Sequence, residues 1–324
     1  MAKEEELNIL KCLAIVGVIV IHALAAFHTG NLWLDQVMRF SVPLFIALSG
    51  YTLGKRYFGE KFTWQYFYRR RLLRILPGYL FWTIVISLVL SIYTGWTGYF
   101  VPANWPKMLI FGRTDYQLYF VPLIFSFYLL FPLILFFFKK NRWLTLAGAF
   151  LFQIIVFNYL SSRTGIISDQ KQYLFFGSWI FYFVLGIFLS QEAPARMKNR
   201  LKFIGLAALT GGLGWTIYET YQITGRGIDM IIATRFTKYS VLFFATGAIL
   251  TAVFFRKLLD RLPKDIFNFL AYLGEISFLI YLSHTLFLRF ITGFYYGTPD
   301  ITVIAFSLFI TVLAVIVSFS LHLY

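Results

Sequence analysis

The run Leu10-Lys11-Cys12-Leu13-Ala14-Ile15-Val16-Gly17-Val18-Ile19-Val20-Ile21-His22 is apolar throughout except for an ionisable side chain near each end. A helix that crosses a hydrocarbon layer ~30 Å thick needs about 20 such residues, and the stretch 9–28 supplies them. Glu4-Glu5-Glu6 stand ahead of it and no small-residue cleavage pattern follows, so the segment is read as a retained first span and not as a leader peptide. Working outward, comparable runs recur at 38–54, 76–94, 118–138, 143–160, 174–190, 203–220, 239–255, 270–290 and 301–321. The expectation is an all-α, polytopic membrane helix bundle of about ten transmembrane helices. It would form a single integral membrane domain over residues 1–324, with no soluble domain at either end.

Composition points the same way. Of 324 residues, 59% are hydrophobic and 13% charged, with a mean hydropathy of +0.73. A soluble domain carries about 25% charged residues, and one core cannot hide this much apolar surface because cores stop growing near roughly 250–300 residues. The 39 Phe, 21 Tyr and 8 Trp suit lipid-facing walls and interfacial belts, with membrane lipid as their partner. A single cysteine, Cys12, excludes an intrachain disulfide.

The net charge of +15 is not a nucleic-acid signature, because the basic residues fall in short clusters between apolar runs. Segments 1–11, 55–74, 139–142, 191–202 and 256–269 hold 20 of the 29 Lys and Arg. The positive-inside rule then places both termini and these segments in the cytoplasm, for a multi-pass protein of the cell (inner) membrane. The longer outer connections, near 95–117 and 221–238, carry Trp96, Trp105 and Arg113, which could cap a cavity.

Ionisable groups inside a membrane are costly, which makes each of them a candidate for function. Lys11 and His22, eleven residues apart, share a helix face and stand roughly 16 Å apart along the axis. The alternative is a snorkelling lysine and a histidine that only bonds a neighbouring helix. Arg71 and Arg74 lie one turn apart where the third span begins, a spacing that suits phosphate, although plain interfacial anchoring explains them too. In the ninth span Ser277, Tyr281 and His284 sit at i, i+4 and i+7 and form a polar stripe, with Glu275 at its cytoplasmic end. Such a stripe can also do no more than join helices. No metal-binding cluster, phosphate loop or Gly-x-Ser-x-Gly elbow is present.

Five segments taken in order resemble the acyltransferase-3 family of bacterial integral membrane acyltransferases. They are LKCLAIVGVIVIHA (10–23), FSVPLFIALSGYTL (40–53), RRRLLRILPGYLFW (69–82), YQLYFVPLIFSFYLLFPLI (116–134) and LGEISFLIYLSH (273–284). The resemblance covers essentially the whole chain. It implies that His22 is catalytic and that Arg71 and Arg74, with Lys11, bind an acyl donor. The donor would be acetyl-CoA or another acyl-CoA, with no metal, and the acceptor a hydroxyl on a cell-surface or lipid-linked carbohydrate. Tyr281, His284, Glu275 and Gln117 are accessory candidates. Two positions depart from the family pattern. Lys11 stands where Arg is usual and lacks the bidentate fork. Gln117-Leu118-Tyr119 replaces a frequent His-Leu-Trp, so Gln117 offers no base.

Two other functions compete with this reading. A transporter or flippase of lipid-linked sugars calls for matching broken spans in the two halves, and none is evident. A polyprenyl-phosphate glycosyltransferase calls for clustered carboxylates, whereas Asp35, Asp115, Asp169 and Asp229 are scattered.

Overall fold

The computed structural model describes residues 2–26, 30–59, 62–162, 169–191 and 194–294. Among them every regular element is helical. In chain order these are α1 (Ala2–Ala26), α2 (Leu32–Met38), α3 (Ser41–Tyr57), α4 (Trp64–Thr94), α5 (Trp105–Phe111), α6 (Phe120–Lys140) and α7 (Arg142–Ser162). There follow α8 (Asp169–Leu174), α9 (Ile180–Leu189), α10 (Ala195–Gly225), α11 (Met230–Ala233), α12 (Tyr239–Phe255), α13 (Lys264–Glu275) and α14 (Ser277–Phe294).

Six helical segments among the described residues are long and apolar enough to cross a membrane. They are Glu4–Ala26, Leu32–Tyr57, Trp64–Thr94, Tyr116–Lys140, Arg142–Leu160 and Tyr239–Arg261, with a seventh if the bent pair α13 and α14 is one span, so the expected count of ten is not confirmed among the described residues. The remaining four expected spans differ for separate reasons. The stretch 174–190 is divided by a tight turn at Phe176–Ser178, which leaves the 10-residue α9, only about 15 Å long. The stretch 203–220 lies inside the 31-residue α10, where glycines, threonines and Glu219 dilute the apolar content. The stretch 270–290 is bent by 76° between α13 and α14. The last, 301–321, lies outside the described residues. Large exposed side chains such as Leu129, Leu144, Ile155 and Phe203 fit walls that face lipid.

The described residues form two compact units, Gly50–Ser190 on one hand and Met1–Ser49 with Gln191–Tyr324 on the other. In the second of these, α1 packs against α13 and α14, and α10 runs along α12. Glycine makes both contacts close. A Cβ on Gly274 would fall onto the Asn8 carbonyl, and one on Gly247 onto the backbone of Ala208 and Leu209. Small residues of this kind let membrane helices approach backbone to backbone. Arg256 Nε meets Glu6 Oε2 at 2.8 Å and ties the segment after α12 to the base of α1.

The same unit contains a buried polar network that composition did not reveal. Arg39 grips Asp35 through two bonds, 2.9 Å from Nε and 2.6 Å from Nη2. Gln36 Nε2 donates to Asp35 at 2.7 Å, and its Oε1 accepts from Lys238 Nζ at 3.1 Å. Lys238 also donates to Thr220 Oγ1 and the Ala233 carbonyl, both at 2.7 Å, while Ser240 donates to Glu219. Asp35 and Arg39 are four residues apart on an otherwise apolar segment, and that spacing was the available signal.

The unit Gly50–Ser190 has an aromatic core. Phe127 and Phe183 stack at 4.7 Å and Phe67 and Phe131 at 5.4 Å. Gly50 admits the Phe183 carbonyl where any side chain would collide with it. Helix α4 ends at Gly95, whose φ of 69° lets its N–H turn back to Ser91 O. The segment that follows carries exposed Trp96 and half-buried Trp105, and it is joined to α4 by Tyr79, whose hydroxyl donates to Leu109 O at 2.9 Å.

Candidate active site

His22, near the end of α1, and His284, in the middle of α14, meet at 2.6 Å between Nδ1 of the first and Nε2 of the second. Their planes differ by 6° and their centroids stand 4.9 Å apart. The nitrogens are too close for face-to-face contact. The centroid separation is instead the nitrogen–nitrogen distance plus one ring radius at each end, so the rings are coplanar and joined edge to edge. His284 is fully buried, whereas His22 keeps part of its surface accessible. At its other end His284 Nδ1 lies 2.7 Å from the carbonyl oxygen of Tyr281, one turn earlier.

The stripe expected on the ninth span is therefore real, since Ser277, Tyr281 and His284 are all buried on α14. Glu275 is not part of it. It is exposed at the end of α13, beyond the bend at Ile276. Lys11 sits on α1 with Nζ 2.8 Å from Asn8 Oδ1. Both histidines were visible as candidates in the sequence. Their pairing was not, because it joins residues 262 positions apart.

In the other unit, the four arginines at the start of α4 divide. Arg69, Arg70 and Arg74 are exposed and Arg71 is buried. The Arg71 guanidinium lies over the rings of Phe67, at 5.8 Å, and Tyr128, at 5.5 Å. Its sealed Nε has no hydrogen-bond partner among the described residues. A cation that only anchors a helix snorkels to water, as its three neighbours do; Arg71 does not. Gln117 is fully buried in the turn that precedes α6. Among the described residues no group of His, Cys, Asp and Glu could hold a metal ion.

A family model described as an acyltransferase domain matches residues 4–323, nearly the whole chain, and the protein belongs to the acyltransferase-3 family. Neither a curated protein nor a solved structure matches it. The chain is thus a membrane acyltransferase, and the paired histidines and the buried arginine are the groups on which its chemistry can be argued.

Proposed function

We propose that this acyltransferase moves an acyl group, acetyl above all, from cytoplasmic acyl-CoA to a hydroxyl of a cell-surface or lipid-linked carbohydrate. His22 is the general base, and the observation that carries this reading is its hydrogen bond to His284. Imidazole suits proton transfer near neutral pH, and the accessible ring of the pair is the one able to meet a substrate. Arg71 and Arg74 bind the phosphates of the donor. Guanidinium holds phosphate through paired bonds, and the buried Arg71 Nε has no acceptor among the described residues. The basic segments, and both termini with them, face the cytoplasm of the cell membrane, where acyl-CoA is made.

His22→Ala tests the base. Purified, monodisperse variant protein at saturating donor should lose about 10²–10⁴-fold in transfer and should still bind acyl-CoA. Turnover within a few-fold of the unaltered enzyme would remove His22 from this role. Mass spectrometry of envelope glycans, from cells with and without the gene, should show a difference of one acyl group and so identify donor and acceptor class.

A further inference from the structure

The direction of each hydrogen bond in the histidine pair follows from its buried end. A peptide carbonyl can only accept, so His284 Nδ1, against Tyr281 O, carries a proton. In a neutral ring the other nitrogen then holds a lone pair. His284 is fully enclosed, where an added charge is costly, and neutral imidazole is the form that fits. His284 Nε2 is therefore an acceptor, and His22 Nδ1, 2.6 Å away, is the donor. The 6° angle between the rings lays that N–H in the plane of the lone pair that receives it.

We infer that His284 is a positioning residue that holds His22 in its Nδ1–H tautomer, so that Nε2 is the atom that takes the acceptor's proton. The inference rests on His22 being the base, as proposed above. The transfer then balances without any further reactant. The hydroxyl proton passes to His22 Nε2 as the oxygen bonds to the thioester carbon. The tetrahedral adduct collapses with cleavage of the carbon–sulfur bond, and the departing thiolate takes that same proton from Nε2. While His22 is cationic, its Nδ1–H bond to His284 becomes charge-assisted and stronger. The pair thus favours the transition state over the ground state, which is what raises turnover. Tyr281 acts here through its backbone carbonyl, so its side chain is not needed for this step.

The tautomer can be read directly. The protein, with its four histidines labelled with ¹⁵N on the rings and reconstituted in nanodiscs, is examined by NMR, and His22 is assigned by the loss of its signals in His22→Gln. Protonation on Nδ1 with a bare Nε2 is expected. The reverse tautomer, or a cationic His22 at neutral pH, would overturn the inference without any variant of His284. Two variants then separate positioning from packing. His284→Gln, whose amide oxygen can accept from Nδ1, should stay within about tenfold of full turnover, while His284→Leu should lose about 10²–10⁴-fold in kcat with little change in the KM for acyl-CoA. Equal activity in the two would also overturn it. Loss of the base reading looks different, because His22→Ala would then remain active whatever the tautomer.

Discussion

The Arg71 guanidinium rests 5.5 Å from the centre of the Tyr128 ring, with its Nε sealed and without a hydrogen-bond acceptor among the described residues. Aromatic faces stabilise a cation by about 0.5–2 kcal/mol, less than the desolvation of an arginine requires. On the proposed reading an anion fills this gap, and exposed Arg74 is at most a helper. Arg71→Gln should raise the KM for acyl-CoA by 10-fold or more, about 1.4 kcal/mol per decade, with kcat at saturation nearly kept. Arg74→Gln should have the smaller effect. A KM unchanged in both variants would leave these residues as membrane anchors.

Lys198 is exposed in the basic segment that opens α10, and Trp96 is exposed in the connection after α4, which the proposed topology puts outside. A cysteine at position 198 should resist an impermeant maleimide in intact cells and react after permeabilisation, and one at position 96 should react at once. Native Cys12 is buried and adds little background. The opposite labelling pattern would invert the topology and put the donor site on the wrong side.

The Asp35–Arg39 pair is enclosed, its side chains retaining 12% and 9% of their exposure. Removing one partner strands a charge, so Asp35→Ala should cost about 3–5 kcal/mol of stability, read as a lowered unfolding midpoint in detergent. The apolar double variant Asp35→Leu/Arg39→Met should recover most of that loss, since neither charge is then left alone. Equal midpoints for single and double variants would show that the pair is not what holds α2.

Gly274 carries no side chain where α13 crosses α1. Gly274→Ala should force the two backbones apart and destabilise by about 1–3 kcal/mol, the usual cost of overpacking. An unfolding midpoint equal to that of the unaltered protein would mean that the Asn8 carbonyl yields freely.

The helical class, the membrane setting and six of the spans could be read from apolar run length alone, because a bilayer imposes one length on every crossing helix. Hydropathy cannot see where such a run turns. The bend at Ile276 lies within one predominantly apolar run and contains no proline, and Glu275, read as lying near one end of the ninth span, stands exposed at the end of α13. Helical spacing correctly put Tyr281 and His284 on one face, since that is a local property. It could not supply the partner of His284, which comes from α1, nor separate buried Arg71 from its exposed neighbours, because burial is a property of the fold.

The bend between α13 and α14 also resets the helical phase. Each residue advances a helix by about 100°, and in a straight rod an inserted residue would turn everything on one side of it out of register. Here the count that aims His284 at His22 begins afresh at Ser277. One alanine inserted ahead of α13, next to Pro263, can be absorbed in the connection there, so that Gly274 keeps its place on α1 and the imidazole stays aligned. The same alanine inserted after Leu279 swings His284 through more than a quarter of a turn and separates the two rings. A change of length beyond Ile276 is thus read directly into the aim of His284, whereas one ahead of α13 is not.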